Sequence, residues 1–199
     1  MMATTLILTG DVNLLNVTDP AVPFARVHAE LAAASLVFGN LECCLYAPPG
    51  GHSFHNEGFF ADPGPAGDAL RLAGFAAVGI ANNVNYGEAA IGALIARLDA
   101  LGIVHTGAGA NLAAARTPAI VTRDGLRCGF LQRSAVYWPT NHEAGPDPPG
   151  IAVLAAHTAW QLPMHKTRPD IPPLNRPGPG LSHLDLCPVD LCPAGLRQA

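Results

Sequence analysis

Charge is scarce in this sequence. Asp, Glu, Lys and Arg make up 13% of its 199 residues, about half of the roughly 25% usual in soluble domains. The 11 Lys and Arg are spread thinly and the formal net charge is −4. The basic face or stripe of a nucleic-acid binder is therefore missing, and no DNA or RNA partner is expected. Long apolar runs are lacking too. The best candidate, residues 69–81, is interrupted by Arg71 and falls short of the roughly 18 residues that span a bilayer. The start, Met1 to Gly10, has neither a basic n-region nor a small-residue cleavage pattern, so it reads as a first strand rather than a signal peptide. A cytoplasmic protein follows as the expectation. Cysteine is present five times, as Cys43-Cys44, Cys128, Cys187 and Cys192. An odd count without secretory context is no disulfide framework, and no Cys-x-x-Cys-type pairs suit zinc. Free thiols are the expected state.

What the chain does have is apolar content, 49%, enough for a sizeable core in one domain with an appended segment. The β-branched and leucine run 4–9 reads as a buried strand ended by Gly10-Asp11. Residues 20–34 place Val22, Ala25, Ala29, Ala32 and Ala33 at helical spacing, with Asp19 as N-cap and Pro20 at the first helical position. Residues 35–39 form a second strand, and β-α-β favours a parallel sheet. The Gly-, Pro- and His-rich stretch 46–64 reads as a long loop. Then come a short helix (66–72), a strand (75–81), and a helix over 88–101 closed by Gly102. A strand (103–106), a short helix (111–116) and a hairpin of 119–123 with 126–132 across Asp124-Gly125 complete the pattern. From Gln161 onward prolines recur too often for either period, so 161–199 reads as an irregular tail on a domain of residues 1–160.

Ligands of open α/β sheets bind outside the carboxyl ends of the strands. Three strands in succession end in polar groups: Gly10-Asp11-Val12-Asn13, Asn40-Leu41-Glu42 and Asn82-Asn83. Asp, Asn and Glu meeting on one edge supply hard oxygen ligands of the kind a divalent cation takes. Each alone has a structural explanation, since Asp and Asn also make turns.

The segments T-G-D-V-N-L (9–14), F-G-N-L-E (38–42), G-F-A-A-V-G-I-A-N-N (74–83) with Tyr86-Gly87, and G-I-V-H-T-G-A-G-A-N-L-A-A-A-R-T-P (102–118) resemble, in order and spacing, the CapA family of capsule and poly-γ-glutamate biosynthesis proteins. The resemblance runs from about residue 4 to about residue 178. It implies the N-terminal half of a calcineurin-like metallophosphatase fold, α/β with a mixed sheet flanked by helices. It also implies a site for one or two divalent ions (Mn, Mg, Fe or Zn) on Asp11, Asn40, Glu42 and Asn83, able to clamp a phosphoryl group and to activate a water. Val84 stands where the family carries histidine. After residue 176 the family's continuation is replaced by a Cys- and Pro-containing tail, as in a truncated or frame-shifted member.

Among the other polar residues, Asn13 and Asn82 flank the ligand candidates, and His52 and His55 sit in the long loop beside Glu57. Tyr137-Trp138-Pro139-Thr140-Asn141-His142-Glu143 joins aromatics to polar groups. Substrate contacts are assigned to Asn13, Asn82, His55, Asn141 and His142. His28 and His105 read as packed or solvated side chains. Gly107-Ala108-Gly109 lacks the third glycine of a dinucleotide fingerprint, though its amides could hold an anion. Gly10-Asp11 is followed by valine, and no G-x-S-x-G occurs, so a serine hydrolase is excluded.

The functional expectation is a metal-dependent phosphoesterase-type protein of capsule or poly-γ-glutamate synthesis, acting on an anionic polymer or phosphorylated small molecule. The alternatives are a non-catalytic polymer-binding or assembly factor and an inactive remnant. A sheet with uncovered strands should also self-associate through its open edge.

Overall fold

The computed structural model describes residues 4–49, 59–137 and 143–154, with the backbone of 156–158 and 186–188. Along the chain come β1 (Leu6–Val12), α1 (His28–Ala33), β2 (Leu36–Leu41), β3 (Cys44–Leu45), β4 (Phe60–Ala61), α2 (Pro63–Leu72), β5 (Phe75–Gly79), α3 (Glu88–Leu101), β6 (Val104–Thr106), β7 (Ala108–Gly109), α4 (Leu112–Ala115), β8 (Ala119–Arg123), β9 (Leu126–Phe130) and β10 (Gly150–Ile151). The central sheet has the order β1-β2-β5-β6 with every pair parallel. Antiparallel pairing is confined to the β8–β9 hairpin and to short pairs such as β7–β10. The α/β class with helices flanking a sheet holds.

Local chemistry sets the element ends. α3 runs as its periodicity dictates, burying Ala90, Ile91, Leu94 and Leu98, and Gly102 ends it at φ 69° with its N–H on the last turn's carbonyls. α2 starts three residues earlier than its apolar pattern suggests. Asp62 caps it by accepting from Gly64 N–H at 2.9 Å, and Pro63 fits the first turn, where no N–H is needed. α1 is shorter than expected and begins only at His28. Pro20 and Pro23 have no N–H to give a helix, so residues 19–27 form successive three-residue turns, with Val22 bonded to Asp19, Ala25 to Val22 and Val27 to Phe24. Asp124 (φ 52°) and Gly125 (φ 79°) both take positive φ, as a two-residue hairpin turn requires.

The two faces of the sheet are covered differently. On one face Val37, Leu41, Val78 and Ile80 pack with Leu70, Ile91, Leu94 and Leu98 of α2 and α3, all fully or nearly fully buried. Each such Leu or Ile contributes about 1.5–3 kcal/mol. On the other face Leu36 and Ala77 meet Ala119 and Val121 of the hairpin. Phe38 and Phe130 stack there with ring centroids 4.3 Å apart. The hairpin is too narrow to reach β1. Leu6 and Leu8, level with Leu36 and Phe38, stay 42% and 64% exposed. Beyond the domain, Leu186–Pro188 forms a short strand antiparallel to Ala156–Thr158, where the sequence pattern gives no strand signal. The rest of the tail lies outside the described residues.

Cys43, Cys44 and Cys128 are free thiols. Burial pushes Cys43 up to about 12 and Cys44 higher still, and the Cys44 thiol donates to the Ala90 carbonyl at 3.2 Å. The thiolate is the reactive form. An aromatic disulfide reagent at pH 8, followed by peptide mapping, should therefore label half-buried Cys128 in the native protein and reach Cys43 and Cys44 only in denaturant. Native labelling of Cys43 ahead of Cys128 would contradict this.

Candidate functional site

The site begins with an irregularity in β1. Leu6, Ile7 and Leu8 pair regularly with Leu36, Val37 and Phe38, but the next partners are Asp11 and Asn40, so two residues of β1 oppose one of β2. A bulge of this kind shifts the alternation of side chains by one. It places Asp11 on the same face as Leu6 and Leu8, where strict alternation would put Gly10. The strand therefore runs through Gly10-Asp11 to Val12 instead of stopping before it. Asp11 is a member of the ladder, not a turn-former.

Across the sheet the same level reads Asp11, Asn40, Gly79. Glycine leaves the third place in this row vacant, and Gln132, just past the end of β9, fills it. A Cβ on Gly79 would collide with the Gln132 carboxamide. The hydrogen bonds run one way along the row. Ala81 N–H donates to Gln132 Oε1 (2.7 Å), Gln132 Nε2 to Asn40 Oδ1 (2.7 Å), and Asn40 Nδ2 to Asp11 Oδ1 (2.7 Å). Because a backbone N–H can only donate, the orientation of each amide is determined in turn.

Asn82, 6% exposed, is likewise fixed. Its Nδ2 donates to the Leu41 carbonyl (2.8 Å) and to Asn40 Oδ1 (3.2 Å), and its Oδ1 accepts from the N–H groups of Val84 and Asn85. Both polar atoms of its side chain are engaged inside the fold. Glu42 follows β2 directly, its N–H on the Val12 carbonyl at 2.9 Å. Burial, then the charge of Asp11, then a hydrogen bond between the two carboxyl groups, raise Glu42 above the usual carboxylate range. The structure thus brings Asp11, Asn40, Glu42 and Asn82 together.

The other predicted residues are placed differently. Asn83 is half-buried in the turn after Asn82 and is not part of the hydrogen-bonded row among the described residues. Asn13 accepts from the Leu15 N–H (3.0 Å), a local turn, and lines with Asp11 a groove of about 460 Å³ floored by Ile7, Phe24, Val27 and Leu31. His55, Asn141 and His142, with His52, Glu57 and Trp138, lie outside the described residues. His28 opens α1 in an exposed position. His105 is partly buried 3.6 Å from Asp99; burial lowers it and Asp99 opposes the shift. Gly107 and Gly109 are glycines for close packing against Ala81 and α4, and Ala108–Gly109 pairs with β10. Gln132 is a site residue that the sequence pattern hides at the end of a strand. Its one signal is Gly79, a glycine inside an apolar strand, which marks close approach by something else.

A divalent cation is implied by the resemblance, and the donor chemistry can be compared with it. Asp11 and Glu42 are hard oxygen donors of the kind a divalent cation takes. Asn40 turns its NH2, not its oxygen, toward Asp11. Among the described residues no group of three or more His, Cys, Asp and Glu side chains converges. Among the described residues the carboxyl groups that meet here are Asp11 and Glu42 alone, fewer than such a group needs. Val84, 2% exposed, packs inward where a phosphate-handling histidine is expected.

A four-stranded parallel sheet, helices on one face, and a carboxylate–amide row at the strands' carboxyl ends define an α/β protein, and the family whose model matches it is one of metallophosphatase-like fold. The chain belongs to the bacterial capsule synthesis protein family PGA_cap, which matches residues 5–171. No curated protein matches it. No helix among the described residues is long and apolar enough to cross a membrane.

Proposed function

We propose that this capsule-synthesis family member handles an anionic substrate, a polymer segment or a phosphorylated small molecule, through one divalent cation held by Asp11 and Glu42, and that it does so in the cytoplasm. The pairing of these two carboxyl groups at the ends of adjacent strands carries the reading. When bound, the cation would polarise a phosphoryl oxygen and lower the pKa of a water. The residues themselves hold the ion and orient Asp11.

Titration of the full chain with Mn²⁺ by calorimetry should give saturable binding near one equivalent, and absence of heat with Mn²⁺, Mg²⁺ and Zn²⁺ would sink the reading. Hydrolysis of an aryl phosphate by the Mn²⁺-loaded protein tests for phosphoesterase turnover. Buried Val84 in the histidine's place favours a second reading, binding of the anion without turnover. Cation-dependent retention on an anionic polymer with no hydrolysis would establish that one.

We also infer that β1 pairs with a second copy of the chain. Among the described residues β1 is bonded on one side only, and from Leu6 to Gly10 it carries no charge or proline that would discourage pairing. Two copies related by a two-fold axis would cover Leu6 and Leu8 mutually. Light scattering on a sizing column should show dimer or larger species. Leu8→Lys should shift them toward monomer with stability changed by less than about 0.5 kcal/mol, as for an exposed site. A native chain that stays monomeric at high concentration would refute this pairing.

A further inference from the structure

The geometry points to Gln132 as a positioning residue that fixes the Asn40 amide so that Asn40 orients Asp11 and does not itself ligate a cation. The inference deepens the cation reading above and rests on it for its functional part. Its structural part is independent. The root is the Ala81 N–H, which has a proton to give and nothing to accept. Gln132 must therefore turn Oε1 to Ala81, and its NH2 to Asn40. Asn82, anchored on the Leu41 carbonyl, brings a second NH2 to the same Asn40 oxygen. That oxygen faces two donors at 2.7 and 3.2 Å. Turning it out toward a cation would set its NH2 against two other NH2 groups and break both bonds. The orientation that remains puts Asn40 Nδ2 on Asp11 Oδ1.

Gly79 is part of the device. It is level with Asn40 in the neighbouring strand, and only a missing side chain leaves room there for the Gln132 carboxamide. The hairpin thereby reaches a site built on the sheet, and a bound ion would be held by the Asp11 and Glu42 carboxyl groups without Asn40. In metal sites, groups that orient ligands without touching the metal are worth a large share of the affinity.

Two measurements decide the matter. In the unaltered, cation-free chain, nuclear Overhauser contacts should connect the Asn40 side-chain NH2 with the Asp11 β-methylene, and they should persist when Mg²⁺, which is diamagnetic, is added to saturation. Their absence, or their loss on adding Mg²⁺, would show that Asn40 turns its oxygen outward and would overturn the proposal. Gln132→Met keeps length and volume but neither donates nor accepts. It should weaken Mn²⁺ binding about tenfold, at the lower end for orienting groups. Affinity unchanged or raised would overturn the positioning role. Should Gln132→Met not fold, the contacts in the unaltered chain still decide the orientation of Asn40. If the unaltered chain binds no Mn²⁺, the cation reading fails by itself, and the cation-free contacts still decide whether the row is built as described.

Discussion

Asp11→Asn should remove most of the divalent-cation affinity while leaving the fold standing. The amide at position 11 has the same shape and keeps an oxygen for the Asn40 Nδ2, which approaches to 2.7 Å. Asp11 is also an exposed member of the β1–β2 ladder, and no turn depends on it. Stability measured by urea unfolding should therefore change by less than about 1 kcal/mol, as for a surface substitution away from the core. The formal charge is a different matter. Of the two carboxylates that face each other, one is neutralised, and half of the charge that offsets a divalent ion is gone. Since groups that merely orient ligands cost 10–100-fold when removed, loss of a ligand's charge should cost on the order of a hundredfold or more in Mn²⁺ affinity. Calorimetry on the purified variant checks it. Unchanged affinity would mean that the cation, if bound, sits elsewhere.

Gly107→Ala should be strongly destabilising for so small a substitution. Gly107 holds φ at 99°, a conformation that L side chains rarely adopt. A Cβ there would stand 2.6 Å from Ala81 Cβ and 2.7 Å from the Ala81 nitrogen. The backbone strain is worth about 1–3 kcal/mol and the overpacking about 1–3 kcal/mol. A loss of about 2–6 kcal/mol is expected in urea unfolding at 25 °C. The obstructed atom is the very nitrogen that anchors Gln132, so Mn²⁺ binding should weaken in whatever fraction remains folded. Gly92→Ala is the control. Gly92 lies exposed inside α3, with open space where its Cβ would be, and should be stabilised by about 0.5–1 kcal/mol. A Gly107→Ala variant as stable as the parent would refute the close approach to Ala81.

How far the sequence reveals this architecture depends on how local the cause is. α3 and its Gly102 terminus are written in a helical apolar pattern and one glycine, and its ends fall where that pattern puts them. The hairpin is likewise legible in Asp124-Gly125, because positive φ at two adjacent residues leaves few alternatives. α1 misleads because its alanines keep helical spacing while Pro23 withholds an N–H from the same turns. The site divides along the same line. Asp11, Asn40 and Glu42 are visible as polar ends of strands. The bulge that swings Asp11 onto the face of Asn40 depends on register between two strands, and no single strand encodes it. Gln132 is harder still. It lies 92 positions from Asn40, at the end of a hairpin whose own pattern explains it fully as a strand. Asn82 looks like a substrate contact from its place after β5. Its oxygen closes the turn at Val84 and Asn85, the turn-making use of Asn that the sequence offers as the structural alternative.

The neighbouring amides of Ile80 and Ala81 are tied to different parts of the molecule. Ile80 N–H bonds to the Thr106 carbonyl within the sheet edge, at 2.9 Å, whereas Ala81 N–H bonds to a side chain that the hairpin delivers. Deuterium uptake at these two positions therefore times two separate openings. The first requires β5 and β6 to part, and the second requires only that the hairpin lift away. Parts of a fold with fewer buried contacts open at lower free energy than the core. Ala81 should accordingly exchange faster than Ile80, and its rate gauges how often the Gln132–Asn40–Asp11 alignment is dissolved in the native ensemble.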